Sequence, residues 1–149
     1  MTPLPRRLST GKVLISLAST WTAVGCFVFD WNETHIYNPS WPPHAKFHNA
    51  QTMSLGVGLA GATLQQLWRR HDDLADARRA VDAARRAVDA AALTGTLYWL
   101  TQISALAYPG AKAVDPPDTG RFPQGRAAVP ALALVALGLV LERRRLSQG

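Results

Sequence analysis

Cysteine is nearly absent from this chain. The single one, Cys26, excludes an intrachain disulfide. Charge is absent from four long stretches: 13–29, 50–68, 90–110 and 127–141 carry no Asp, Glu, Lys or Arg. No small-x-small cleavage pattern stands directly before Asp30. Ala23-Val24-Gly25-Cys26 faintly resembles a lipoprotein cleavage box, but the chain stays apolar for three residues beyond the cysteine, so the first apolar stretch reads as a retained helix. With no charge near the middle of any stretch, a transport pathway through one copy has little to work with.

What is present is apolar and basic. Hydrophobic residues make up 48% of 149 residues, yet arginine keeps the mean hydropathy at −0.02. A bilayer span takes ~20 apolar residues. The first three stretches reach that length, and the fourth does so if Glu142 snorkels. The expected fold is therefore all-α: an integral membrane four-helix bundle forming one domain over residues 1–149. Its helices are expected at about 8–29, 42–68, 74–108 and 127–143, with outer loops at 30–41 and 109–126. The net charge of +6 and pI near 10.2 could suggest nucleic acid as a partner. The placement of the basic residues argues otherwise. Most fall at Arg6, Arg7 and Lys12, between Arg69 and Arg86, and at Arg143 to Arg145, alternating with the apolar stretches. The positive-inside rule then puts both termini and the central connection in the cytoplasm. The expected location is a bacterial plasma membrane, with lipid or a lipophilic small molecule as partner and no nucleic acid. Homo-oligomerisation stays open.

The central connection contains a perfect repeat: residues 77–83 and 84–90 both read A-R-R-A-V-D-A. Alanine and arginine favour helix, and Asp82 can pair with Arg85 or Arg86. Leu74, Val81 and Val88 form a seam at spacing seven. This segment is expected to run straight into the third helix as a basic extension at lipid headgroups.

Chemistry concentrates in one short region. Asp30-Trp31-Asn32-Glu33-Thr34-His35 precedes a loop built on Asn38-Pro39-Ser40, and Pro42-Pro43 then opens the second helix with Ser40 as candidate N-cap. His44, Lys46 and His48 follow. Ionisable groups at a membrane boundary must be hydrated, paired or used. Asp30, Glu33, His35, His44 and His48 are the candidate catalytic residues, since histidine and carboxylate together supply a proton donor and an acceptor. Asn32, Trp31, Trp41, Gln51, Tyr98 and Gln102 are the candidate substrate contacts. A second reading needs no cofactor and no chemistry: the groups pair to fix the outer loop. A third makes His35, His44 and His48 ligands of a zinc ion, an arrangement for which H-x-x-x-H alone is a weak signal. On the second helix, His44, His48, Gln51 and Thr52 share a stripe with Ser54, Gly58 and Ala62, with Gly61 adjacent. Small residues admit a neighbouring backbone, so this stripe is expected to face the bundle interior.

The strings D-x-N-E-T-H over 30–35, N-P-x-W-P-P-H-A-K-F-H over 38–48 and Q-T-M-S over 51–54 resemble a family of small four-helix membrane proteins of unknown function in bacteria and fungi. In outline alone the chain is also similar to the membrane sterol-isomerase and sigma-2-receptor-like bundles, where polar residues line a lipid-accessible cavity. The functional expectation is an enzyme using the His/carboxylate cluster for isomerisation, cyclisation or hydrolysis of a lipophilic small molecule. The alternative is a non-catalytic lipid- or ligand-binding bundle or membrane partner subunit.

Overall fold

A computed structural model describes residues 8–70, 76–115 and 120–148. The described residues form four α-helices and no strand: α1 (Thr10–Asp30), α2 (Pro43–Trp68), α3 (Ala77–Ser104) and α4 (Gly125–Ser147). Each helix packs on its neighbour in the chain, and α4 closes on α1. The cross-section is a rhombus. α1 and α3 meet across the short diagonal, whereas the α2 and α4 backbones do not approach each other.

Local chemistry sets the helix ends. Ser9 caps α1 by accepting from the Lys12 N–H at 3.4 Å, and Asp76 caps α3 by accepting from the Arg78 N–H at 2.9 Å. Leu74, the first residue of the expected seam, lies outside the described residues. α3 stops at Ser104, and a 3₁₀ turn over Ala105–Ala107 follows. The expected helix to 108 gives way there because Tyr108 precedes Pro109 and adopts the extended conformation such residues favour. The N-cap of α2 is Pro42, not Ser40, whose hydroxyl donates instead to Asn38 at 2.7 Å.

The core has three levels. At the outer end Cys26, Met53, Tyr98 and Trp99 pack on Ala127, Ala128 and Ala131. Ala18, Ala92 and Val135 fill the middle, and Ile15, Leu67, Val88, Ala91 and Leu146 the inner end. Buried hydroxyls link the helices: the Trp99 Nε1–H donates to Thr22 at 2.9 Å, and Thr63 and Thr94 share a hydrogen bond of 2.8 Å between α2 and α3. α1 and α4 touch through backbone. A Cβ on Gly11 would fall 2.6 Å from the Gly138 carbonyl oxygen, and one on Gly138 would fall 2.6 Å from Ile15 Cγ1.

The small-residue stripe of α2 faces outward, contrary to expectation. Ser54, Gly58 and Gly61 are exposed, and a Cβ on either glycine would meet nothing within 4 Å. The buried face is Met53, Gly56, Ala60, Thr63 and Leu67. A second small-residue row takes the inner position. A Cβ on Gly56 would fall 3.0 Å from Cys26 Sγ and 3.3 Å from Tyr98 Cε2, so this glycine is where α2 comes close to its neighbours, while Leu55 and Val57 stay exposed.

Helix α4 is less plain than its sequence. Its inward row Ala131, Val135, Gly138 continues to Glu142, which is 1% exposed. The Ser9 hydroxyl donates to Glu142, and Arg145 reaches its Oε2 at 2.9 and 3.0 Å. The Lys12 ammonium lies 5.0 Å from the Trp68 ring centre, and the Trp68 indole donates to Ser16 at 3.1 Å. The two copies of the repeat differ in use. Asp82 pairs locally with Arg85 at 3.9 Å, while Asp89 pairs with Arg143 of α4 at 2.8 Å. The Arg85 guanidinium also donates to the Leu146 carbonyl, so the second copy docks on α4 instead of standing free. Two of the four helices, α1 and α4, are long and apolar enough to cross a membrane. Glutamines and glycines lower the hydropathy of α2, and the arginine repeat lowers that of α3.

Candidate functional site

The outer loop is shaped by two asparagines. Asn32 Oδ1 accepts from the Thr34 N–H at 2.9 Å and from the Thr34 hydroxyl at 2.6 Å, while its amide nitrogen donates to the Phe29 carbonyl. Asn38 repeats the pattern on Ser40 and donates to the Thr34 carbonyl at 3.1 Å. Such side-chain turns let a short polar segment reverse direction without a helix or strand. Ile36, packed against the outer core, pins the reversal from below.

This reversal returns His35 to the end of α1. Its Nε2 lies 3.8 Å from Asp30 Oδ1, an ion-pair distance longer than a direct hydrogen bond. The other Asp30 oxygen accepts from the Asn49 amide on α2 at 3.1 Å. The Asp30 side chain is 19% exposed and that of His35 34%, so the pair is half-withdrawn from solvent. The Trp41 ring meets His35 edge-on at 5.1 Å.

The hydrogen-bond chain fixes the histidine tautomer. Asn32 Oδ1 can only accept, because the Thr34 backbone N–H bonds to the same atom. The Thr34 hydroxyl proton therefore points at Asn32, and its oxygen must accept from His35 Nδ1, 2.8 Å away. With Nδ1 carrying a hydrogen, Nε2 of a neutral His35 is a bare acceptor facing a carboxyl group. At 3.8 Å the two groups face each other across a gap longer than a hydrogen bond, with a donor–acceptor arrangement open to either partner.

The other candidates divide. His44 and His48 are exposed, with their Nε2 atoms 3.1 Å apart and His48 Nδ1 3.3 Å from Gln51 Oε1. They do not point into the bundle. Glu33 is exposed, and no ion pair of Glu33 appears among the described residues. No three His, Cys, Asp or Glu side chains among the described residues come together as metal ligands; His35 sits with Asp30, away from the other two histidines. The Trp31 indole donates to the Tyr37 hydroxyl at 2.6 Å and stacks on Phe27, on the exterior. Tyr98 is in the core, against the Gly56 and Cys26 region. Gln102 has its Oε1 buried, with no hydrogen-bond partner among the described residues.

Two residues that contact the pair, Asn49 and Thr34, are not among the candidates expected from the sequence. Asn49 lies outside the ionisable residues that draw attention, yet it holds Asp30 and leaves its own Oδ1 buried and unpartnered. Thr34 bonds to His35 directly, and Asn32, expected as a substrate contact, holds the Thr34 hydroxyl in turn. The signal for Asn49 is present in hindsight: a polar side chain one residue after His48, on the edge of the helix that turns toward α1.

No curated protein and no solved structure matches the chain. The model of the family of unknown function DUF6640 matches it over residues 14–149, which takes in α1 from its second turn, the outer loop and the other three helices, and the chain belongs to that family.

Proposed function

We propose that this chain is an integral membrane enzyme whose outer end performs acid–base chemistry on a lipophilic small molecule. The observation that carries this reading is the Asp30–His35 pair, oriented by Asn49 on one side and by Thr34 and Asn32 on the other. A single proton held there suits isomerisation, cyclisation or hydrolysis, with one group donating and its partner accepting. No resident cofactor is needed for that step. Membrane residence is supported by the outer surface. Leu17, Val24 and Val28 on α1, Leu55 and Val57 on α2, Leu93 and Leu100 on α3, and Val129 and Leu137 on α4 are all exposed. Apolar side chains around all four helices suit hydrocarbon rather than water. Both ends of the chain would then lie in the cytoplasm of a bacterial cell, with the pair at the opposite face and Trp41 beside an entering substrate.

A second reading has its own support. The bond from Asn49 to Asp30 ties α2 to the end of α1, so the same residues could serve only to hold the loop over a ligand-binding or subunit-docking mouth. Asp30→Asn and His35→Gln separate the two. Lipid extracts from cells expressing each form would be compared by mass spectrometry. Catalysis predicts a product present with the natural chain and reduced about 10²- to 10⁴-fold by either substitution, with the melting temperature nearly kept. A product unchanged in both variants would sink the enzyme reading.

A further inference from the structure

We propose that His44 and His48 form a two-imidazole site for a divalent d-block ion such as Cu²⁺, Ni²⁺ or Zn²⁺. The Nε2 atoms are 3.1 Å apart on successive turns of α2. An ion with metal–nitrogen bonds of ~2.0–2.1 Å and tetrahedral angles holds two nitrogens roughly 3.3 Å apart, close to this spacing. One helical turn already supplies the bite.

The second observation is the partner of His48. Gln51 Oε1 lies 3.3 Å from Nδ1, a geometry in which Nδ1 can hand its hydrogen to the amide oxygen and leave Nε2 with its lone pair on the side of His44. Histidines that bind metal almost always hand their other N–H to an oxygen in this way. The Phe47 ring stacks parallel to His44, at 4° between planes, and steadies the second imidazole. An ion bound by both Nε2 atoms would displace any hydrogen held between them.

Two nitrogen donors and no carboxylate select against Mg²⁺ and Ca²⁺, which want oxygen. The remaining coordination positions are left to water or to an exchangeable ligand. The positive end of α2 works against a cation, which keeps the site weak and reversible. His35 takes no part, being held by Asp30 and Thr34, so this site does not rest on the acid–base reading.

The test is a titration of the full-length, tag-free protein in detergent with Cu²⁺, Ni²⁺, Zn²⁺ and Mg²⁺, read by calorimetry. The site predicts Cu²⁺ tightest and Mg²⁺ silent, following the general affinity order. His44→Ala or His48→Ala should each weaken binding at least tenfold, Gln51→Leu about tenfold, and His35→Ala not at all. All four positions lie at the surface or in the loop, and unchanged circular dichroism would confirm folding. Copper electron paramagnetic resonance supplies a second readout, expected to show two nitrogen ligands lost in step with either helix histidine. Wild-type affinity in the His44→Ala and His48→Ala variants would overturn the proposal. An equal loss in His35→Ala would do the same, since the site would then not be this pair.

Discussion

At the scale of single residues, what an ionisable group does depends on which direction its helix turns it. Asp30 and His35 are five residues apart across a reversal, so D-x-N-E-T-H is legible as a pair once the asparagine turns are allowed for. The exposure of His44 and His48 is not legible in the same way, because it depends on how α2 rotates about its axis. Glu142 is the reverse case. The spacing 131, 135, 138, 142 puts it on the inner row, but the run of arginines behind it makes it look solvated. Its removal should be costly. Glu142→Ala leaves Arg145 and the Ser9 hydroxyl without an acceptor at the joint of α1 and α4. Because Arg145 is 37% exposed and can still reach water, the loss should lie at the low end for a broken buried pair, about 3 kcal/mol. Denaturant unfolding in detergent measures it, and Glu142→Gln, which keeps the shape, should recover part of the loss. A change under about 0.5 kcal/mol would place the residue among ordinary surface substitutions.

At the scale of elements, the existence and order of four helices are readable from charge-free stretches, caps and prolines, while their facing is not. Small residues at spacing four look alike whether they admit a neighbour or lie bare. Glycines of the two kinds should therefore respond oppositely to alanine. Gly58→Ala and Gly61→Ala should stabilise by about 0.5–1 kcal/mol each, since the added methyl meets open space and glycine is a poor helix former. Gly11→Ala and Gly138→Ala push a methyl into backbone or into Ile15 and should cost about 1–3 kcal/mol. Thermal melts of the four variants decide the matter. A loss at Gly58 or Gly61 would mean that the outer face of α2 is covered in the working protein. Differences at the helix ends have equally local causes: Pro109 stops α3 early, and Pro42 displaces Ser40 from the capping position.

At the scale of the whole molecule, the bundle is legible as four antiparallel helices, but its setting in a membrane rests on unequal segments. α1 and α4 meet the length and hydropathy of a span; α2 and α3 do not. The proposed topology nevertheless makes a sharp claim about sides. In a Cys26→Ser background, a cysteine replacing Glu33 should react with a membrane-impermeant maleimide added to intact cells. One replacing Ser147 should react only after the membrane is opened. Labelling of both from outside, or of neither, would reject the arrangement.

The rhombic cross-section has a mechanical consequence. α1 and α3 form a spine, pinned where the Trp99 indole meets Thr22, and α2 and α4 lie on opposite sides with their backbones apart, joined only through the side chains of the shared core. A ligand that prises α2 outward can open a cleft beside Asn49 and Asp30 while α4 keeps its clasp on α1. Breathing of the outer end would thus leave the inner joint shut.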